Sequence, residues 1–223
     1  MRLLDTDELE RIRAIKGDSG TREPSGRCIP DAEVSALLRA CSSDPSPAGA
    51  RDTAMFSLVA VSGARRAEVA SLRIEGVERG EEESSMLRVI GKGNRERTLH
   101  VVGNAKRALE DWLKVRGAEP GALFCRIWKG GRMQQSDCVS PMALDKILRK
   151  RSKEAKLAKL QWHDFRRTTA SGFLDAGADI ATVAKIIGHA NIQTTARYDR
   201  RGERAKRKAS GLLTVPYFER HPN

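Results

Sequence analysis

The sequence predicts a mainly α-helical protein with one small antiparallel β-sheet, an α+β fold. Apolar residues recur every three to four positions along most of the chain, which is typical of helices that pack on a core. The period changes to two on both sides of a Gly-Lys-Gly-Asn turn, and this pattern predicts a β-hairpin. Hydrophobic residues are 39% of the 223 residues and charged residues 31%, as in globular proteins that bury a core.

The first part of the chain is predicted to contain a linker, a loop and four helices. Residues 16–27 are rich in glycine, serine and charge and are expected to form a linker. The Ser- and Pro-rich stretch 42–50 is expected to be a loop. The predicted helices cover residues 4–15, a segment starting near Pro30, and residues 51–63 and 64–73.

The rest of the chain is predicted to hold the hairpin and then more helices. The hairpin strands are expected over residues 86–90 and 97–102. We expect a single domain over residues 28–213 and a short tail over 214–223. The later helical patterns cover residues 105–116, 140–157, 163–177, 179–189, 191–200 and 202–213.

The charge balance indicates a polyanionic partner. Lysine and arginine number 41 against 29 aspartate and glutamate residues, which gives a formal net charge of +12. An excess of this size favours nucleic acid, although a basic protein without such a partner is the alternative. No apolar run has the length of a membrane span, and the N-terminus is too charged for a signal peptide, so we expect a cytoplasmic or nucleoid location and no membrane partner.

The cysteines do not indicate a metal site. The four cysteines form no Cys-x-x-Cys pair, and no histidine is spaced to join them. Buried, reduced thiols are therefore expected, with no bound zinc.

Several polar residues in the first half occupy positions that packing does not explain. Arg65 and Arg66 follow a glycine at a predicted helix start, and Glu68 lies on the same helical face as Arg65. Lys92 lies between two glycines on the hairpin turn, where its amine can project. Taken singly, these are a surface ion pair and a common turn.

A second group of such residues lies in the last third of the chain. His163 and Arg166 are three residues apart and share a helical face, and Tyr198 follows His189 by nine residues. Tyr198 is one of only two tyrosines, and its charged neighbours leave little apolar sequence for its ring to pack on. The other, Tyr217, lies beside a proline and a phenylalanine, so packing is its expected role.

The order of these residues resembles the tyrosine recombinases, the phage-integrase and Xer-type family. The resemblance covers roughly residues 30–213 and rests on five motifs in one order. They are "GARRAEVASL" (63–72), "VIGKGNRERTLHV" (89–101), "HDFRRT" (163–168), "IIGHA" (186–190) and "TTARY" (194–198).

The resemblance implies a mechanism of DNA strand cleavage without metal or cofactor. Tyr198 would attack the scissile phosphate and form a 3′-phosphotyrosyl link, releasing a 5′-hydroxyl. His163 would accept the phenolic proton, and Lys92 would protonate the leaving oxygen. Arg65 and Arg166 would hold the phosphoryl oxygens.

The same resemblance assigns supporting roles. His189 would hydrogen-bond a phosphoryl oxygen, and Glu68 would orient the arginines around it. The implied function is site-specific recombination or integration, as in mobile genetic elements. The basic helical runs are expected to contact the DNA backbone. The residues assigned to that contact are Arg66, Lys146, Arg149, Arg151, Arg167, Arg197 and Arg200.

The resemblance also implies a double-stranded DNA partner and an assembly. A homotetramer on DNA is expected, with the apolar tail 211–218 docking on a neighbouring copy or on its own core, and a monomer is possible without DNA. Family members usually carry an N-terminal core-binding domain. Residues 1–27 are expected to be a remnant of that domain plus the linker, either in a piece of a longer protein or in a naturally short form.

Two alternative functions are open at this point. A type IB topoisomerase uses a similar set of side chains and relaxes supercoils as a monomer. A non-catalytic helix-turn-helix regulator would use residues 177–200 as its two helices and turn, but it gives no role to the residues near positions 65, 92 and 163.

Overall fold

The computed structural model describes residues 26–80, 84–91 and 95–199 continuously, with the isolated positions 5, 7, 8, 10, 11, 202, 207, 210, 211, 216 and 217. No helix in this part of the chain is long and apolar enough to cross a bilayer. The helices are α1 (Asp31–Ser42), α2 (Pro47–Ser62), α3 (Arg66–Ser71), α4 (Gly103–Arg116), α5 (Pro141–Glu154), α6 (Trp162–Asp175), α7 (Ile180–Ile187) and α8 (Ile192–Ala196). The strands are β1 (Val77–Arg79), β2 (Ser85–Gly91), β3 (Arg95–Val101), β4 (Cys125–Ile127) and β5 (Met133–Cys138).

Helix α2 begins inside the stretch that was expected to be a loop. Pro47 is its first residue, a position that tolerates proline because the amide there has no partner within the helix. The helix ends at Gly63, whose φ of 59° lies in the left-handed region that glycine adopts without steric strain. This sharp end directs the chain straight into α3.

The predicted hairpin is the centre of a three-stranded antiparallel sheet. Strand β2 pairs with β3 so that Leu87 lies opposite Leu99, and β1 adds to the other edge of β2. Leu87, Val89, Leu99 and Val101 are all buried, which places alternate positions of both strands against the core. The fold class expected from the sequence, mainly α with a small antiparallel sheet, is confirmed.

A second, two-stranded sheet of β4 and β5 was not predicted. Its strands are short, and the four residues between Met133 and Cys138 of β5 are all polar, so neither strand has a clear period-two pattern. Their pairing shifts register between Cys125 and Arg126. Strands are predicted from sequence by the alternation of apolar and polar residues, and this hairpin lacks such alternation.

Two apolar clusters hold the helices together. The larger is built around α2, which packs against α1, α4 and α6. Phe56 of α2 lies 5.9 Å from the ring of Phe165 and 5.8 Å from that of Trp162, measured between ring centroids, and both partners belong to α6. The smaller cluster joins α6 to α7 through Leu174, Val183 and Ile187. Helix α6 is therefore shared by both clusters.

Arg151 was expected to contact DNA, and the structure contradicts this expectation. Its side chain is 1% exposed and lies on the buried face of α5 with Leu144 and Leu148. The guanidinium donates to Asp52 at 2.8 Å, to Asp44 at 2.7 Å and to Glu154 at 2.9 Å. An arginine that is 1% exposed and bound to three carboxylates has no surface to offer a phosphate.

We expect Arg151→Ala to lower the free energy of unfolding by about 3–5 kcal/mol, because it removes one of the two arginines that bind the buried carboxylate of Asp52 and also the arginine that binds the half-buried carboxylate of Asp44. Arg149→Ala, two residues away on the exposed face of the same helix, is the control and should change it by less than about 0.5 kcal/mol. Urea unfolding monitored by circular dichroism measures both. Equal stabilities of the two variants would contradict a structural role for Arg151.

Candidate active site

The corner between α2 and α3 positions Arg65. The chain turns at Gly63, and Arg65 is the N-cap residue of α3. The Arg65 backbone N–H donates to Glu68 Oε2 at 2.7 Å, and its Nη1 donates to Glu68 Oε1 at 2.8 Å. Glu68 is 2% exposed, so the carboxylate fixes both the backbone and the guanidinium of Arg65 from inside the fold.

Helix α6 brings two predicted residues to the same place. Arg166 is 4% exposed, and its Nη1 donates to the Gly63 carbonyl at 2.9 Å, which ties α6 to the start of the Arg65 corner. Its Nη2 is buried and has no hydrogen-bond partner among the described residues. His163 lies one turn earlier, at the exposed start of the helix.

The end of α7 positions His189. The helix stops at Gly188, whose φ of 76° is again in the left-handed region. Arg65 Nη2 donates to the Gly188 carbonyl at 2.5 Å, so this corner is held against the start of α3. His189 follows directly, and its Nδ1 lies 2.8 Å from the Thr195 hydroxyl.

Tyr198 completes the constellation just after α8. Its backbone N–H donates to the Thr195 carbonyl at 2.9 Å. Its hydroxyl lies 3.2 Å from His163 Nε2, and its ring stacks on that of His189 with centroids 5.9 Å apart. Tyr198 thus contacts His163 and His189 directly, Arg65 binds the residue before His189, and Arg166 binds the corner that carries Arg65. These are five of the six side chains assigned to catalysis.

The surroundings of Tyr198 differ from the sequence-based expectation. The residue is 4% exposed and packs in the smaller apolar cluster with Leu174, Val183 and Ile187. The expectation of little apolar surface for this ring is therefore wrong, because α6 and α7 supply that surface from elsewhere in the sequence. Burial raises the pKa of Tyr198, and the nearby Arg166, Arg167 and Arg197 offset only part of this effect.

Burial and nearby positive charge also lower the pKa values of Arg166, His163 and His189. Burial, followed by repulsion from Arg65 and Arg97, lowers the pKa of Arg166 to about 9. Burial and Arg166 lower the pKa of His163, and the same two causes lower the pKa of His189 to about 4. Both imidazoles are therefore neutral at pH 7, while Arg166 keeps its charge.

Arg97 is a largely enclosed member of this region that the sequence analysis missed. Its side chain is 11% exposed, and its Nη2 donates to Glu68 Oε2 at 2.7 Å. Two guanidiniums therefore share one carboxylate. Burial raises the pKa of Glu68, but the Arg65 backbone N–H and the guanidiniums of Arg97 and Arg65 outweigh it, so this pKa lies below its ordinary value. A signal was available, because Arg97 has the same strand parity as buried Leu99 and Val101.

The remaining assigned residues do not form one group. Lys92 and Arg200 lie outside the described residues. Arg167 is 8% exposed and donates to the Gly26 carbonyl at 2.6 Å, which contradicts the expectation that it contacts DNA. Arg66 is exposed and paired with Asp145. Lys146, Arg149 and Arg197 are exposed.

The fold and the site together define a catalytic domain of the tyrosine recombinase class. Residues 27–204 match the phage integrase family, and the protein belongs to that family. All five motifs found in the sequence lie within the matched residues. The resemblance to the family is therefore confirmed.

Curated relatives at about one-third identity carry the same assignment. Tyrosine recombinase XerC of Alcanivorax borkumensis is 35% identical over 193 residues, which are 84% of this chain and 58% of the relative. XerC of Corynebacterium glutamicum is 32% identical over 151 residues, 66% of this chain and 46% of the relative. The chain thus spans about half the length of the curated relatives that it matches.

Solved structures share the fold. XerA recombinase aligns with a TM-score of 0.64 and 24% identity over 89% of this chain and 68% of its own. XerH bound to palindromic difH substrate in a post-cleavage complex aligns with a TM-score of 0.68 and 19% identity, over 89% of this chain and 56% of its own. The catalytic domain of bacteriophage HP1 integrase aligns with a TM-score of 0.59 and 18% identity, over 84% of this chain and 96% of its own.

The lowered pKa of His189 has a consequence for stability. Between its ordinary pKa of 6.5 and its folded value of about 4, the unfolded chain binds a proton that the folded chain does not. Stability is therefore fully present above pH 6.5 and falls as the pH drops toward 4, with a slope that approaches about 1.4 kcal/mol per pH unit.

We expect His189→Asn to show a smaller loss of stability between pH 7 and pH 5 than the unsubstituted protein. Urea unfolding at the two pH values measures the difference, and the other titrating groups cancel in the comparison. The same loss in both proteins would show that His189 titrates normally.

Proposed function

We propose that this chain cleaves and rejoins DNA at specific sites through a covalent bond between Tyr198 and a DNA 3′-phosphate. The observation that carries the proposal is the 3.2 Å contact between the Tyr198 hydroxyl and His163 Nε2, beside two arginines and a second histidine. A helix-turn-helix regulator would need no such contact between residues that are far apart in sequence.

The first requirement of the reaction is to remove the phenolic proton. Burial raises the pKa of Tyr198, so the hydroxyl is protonated at neutral pH and needs a base. His163 has a lowered pKa and is neutral there, so its Nε2 can accept that proton as the tyrosine oxygen attacks phosphorus. The new P–O bond to Tyr198 forms as the bond to the 5′-oxygen breaks.

The second requirement is to stabilise the charge on the phosphoryl oxygens. Arg166 Nη2 has no partner among the described residues, and a guanidinium matches two phosphate oxygens in its plane. Arg65 keeps N–H groups beyond those that bind Glu68 and Gly188. If the Thr195 hydroxyl donates to His189 Nδ1, the proton of that imidazole lies on Nε2 and can donate to phosphate. Loss of one such donor typically lowers the rate about 10²–10³-fold.

The last requirement is a proton for the leaving 5′-oxygen. We propose Lys92 for this role from its position in the sequence, between the end of β2 at Gly91 and the start of β3 at Arg95. Lys92 itself lies outside the described residues. Glu68 would act only on the arginines. The scheme uses side chains for every step, and the same groups run in reverse when the 5′-hydroxyl of a partner strand attacks the phosphotyrosine.

The test is covalent capture of the chain on a nicked suicide DNA duplex in EDTA. We expect an SDS-resistant DNA adduct with the unsubstituted protein and none with Tyr198→Phe, because the variant keeps the ring and lacks the nucleophile. Tyr217→Phe is the matched control and should still form the adduct. An adduct that persists in Tyr198→Phe would remove Tyr198 from the proposed mechanism.

We further propose that the exposed face of α5 contacts the DNA backbone. Arg149 and His163 line one cavity of about 630 Å³, so a duplex that presents its phosphate to His163 passes close to Arg149. Lys146 lies one turn earlier and is also exposed. Arg66, which lines the same cavity, is a further proposed contact, and so are Arg197 and Arg200.

We expect Lys146→Ala and Arg149→Ala each to reduce the slope of log affinity against log salt concentration by about 1, since each removes one phosphate contact. Lys114→Ala, which removes an exposed lysine of α4 paired with Asp111, is the control and should leave the slope unchanged. Fluorescence anisotropy with labelled duplex over a range of KCl measures the slopes. Slopes equal to that of the unsubstituted protein would remove α5 from the DNA interface.

Recombination needs two duplexes, and therefore four cleaving chains. We propose a homotetramer on DNA in which the tail after residue 211 docks on a neighbour, and a cytoplasmic location at the nucleoid. A related structure is a lambda integrase tetramer bound to a Holliday junction, with a TM-score of 0.59 and 16% identity to this chain. Residues 1–27 are proposed as the end of an N-terminal DNA-binding domain plus linker.

A further inference from the structure

Arg97 has no role in the chemistry proposed above, yet it is one of the most heavily engaged side chains near the site. Its Nη2 donates to Glu68 Oε2 at 2.7 Å, and its Nη1 donates to the Ile186 carbonyl. Its Nε is also buried and has no hydrogen-bond partner among the described residues. The Arg97 guanidinium is therefore not a surface charge, because it links Glu68 to the backbone at Ile186.

The two arginines around Glu68 hold the same helix end. Arg97 binds the Ile186 carbonyl, and Arg65 binds the Gly188 carbonyl. These carbonyls belong to the last turn of α7 and to its C-cap residue. Backbone acceptors there lack partners within the helix, and the helix dipole favours positive charge. Glu68 therefore joins strand β3, helix α3 and the end of α7 through two guanidiniums.

The packing between Gly188 and the Arg97 side chain leaves no room for a side chain at position 188. A Cβ added at Gly188 would lie 2.8 Å from Cδ and from Nε of Arg97. Glycine is needed there both for its left-handed backbone and for the approach of this side chain. The Arg97 side chain thus sets how closely the end of α7 can approach the sheet.

The end of α7 at Gly188, which Arg65 and Arg97 bind, is adjacent in the chain to His189 and is connected through Thr195 to Tyr198. His189 follows Gly188 and lies 2.8 Å from the Thr195 hydroxyl, and the Thr195 carbonyl accepts from the Tyr198 backbone N–H. A displacement at Gly188 is therefore transmitted to His189 and Tyr198 through two short contacts. In the same way, a displacement of Glu68 is transmitted to Arg65.

We propose that Arg97 is a positioning residue that sets the distance between the Arg65 side and the His189–Tyr198 side of the active site. It touches none of the reacting atoms and acts through Glu68 and the end of α7. This inference rests on the proposed function, because it concerns the geometry that the cleavage reaction needs.

The expected effect is on the rate of cleavage and not on DNA affinity. Misplacement of reacting groups by about 1 Å can lower a rate about 10²-fold. Arg97→Ala removes one of the two guanidiniums on Glu68 and releases the Ile186 carbonyl, while the exposed cations of α5 stay in place. DNA binding should therefore change by less than about threefold, since the loss lies in the chemical step.

The experiment measures the single-turnover rate of adduct formation on the nicked suicide duplex at saturating protein, alongside the Kd for the same duplex. We expect Arg97→Ala to lower the rate by about 10- to 100-fold and Arg97→Lys to recover part of the loss, because one ammonium can reach one of the two acceptors but not both. Arg88→Ala is the control, since Arg88 is an exposed arginine of β2 bonded to Glu78, and its rate should be unchanged.

The outcomes separate this inference from the proposed function. If the unsubstituted protein forms no adduct, the proposed function fails. If it forms one and Arg97→Ala cleaves at the same rate below its melting temperature, only the positioning role is overturned. The positioning role would also be overturned if Arg97→Ala bound the duplex more weakly but cleaved it at the unsubstituted rate once saturated. If Arg97→Ala does not fold, Arg97→Lys decides, and a rate equal to that of the unsubstituted protein overturns the role.

Discussion

The geometry of the site depends on one buried carboxylate. Glu68 is 2% exposed and accepts hydrogen bonds from the Arg65 backbone and from the guanidiniums of Arg65 and Arg97. A buried carboxylate is tolerable only when it is well paired, so its partners must remain where they are. Because both partners also bind the end of α7, the pairing of one anion brings three distant stretches of sequence to one place.

The second constraint is the burial of Tyr198. The apolar cluster with Leu174, Val183 and Ile187 fixes the direction of the ring toward His163. This burial raises the pKa of Tyr198, and desolvation of the His163 ring together with repulsion from Arg166 lowers the pKa of His163, so that the proton stays on the phenol and the imidazole stays free to accept it. A phosphate entering beside Arg166 would meet a guanidinium whose pKa burial and neighbouring arginines have lowered to about 9, and its charge would relieve that repulsion.

The fold was largely predictable where periodicity was strong, as in α4, α5 and α6. It was less so where local sequence misleads: the prolines before α2 favour a loop, yet one of them is the first residue of the helix. The order of motifs identified the candidate catalytic residues, but not the apolar packing of Tyr198, because α6 and α7 supply it from elsewhere in the chain.

Charge alone misassigned Arg151, and Arg97 was overlooked, although position within the element would have corrected both. Arg151 follows Leu144 and Leu148 at helical spacing and so lies on their buried face. Arg97 shares its strand face with Leu99 and Val101. A run of basic residues indicates a cationic surface, but the period of the helix or strand decides which of its members reach that surface.

The most direct measurement is a crystal structure of Tyr198→Phe bound to a DNA duplex that carries its cleavage site. The account predicts one phosphorus atom facing the ring of residue 198, with its oxygens about 2.6–3.2 Å from donors of Arg65, Arg166 and His189. A complex in which the guanidiniums of residues 65 and 166 contact different phosphates, or none, would contradict the convergence on which the account depends.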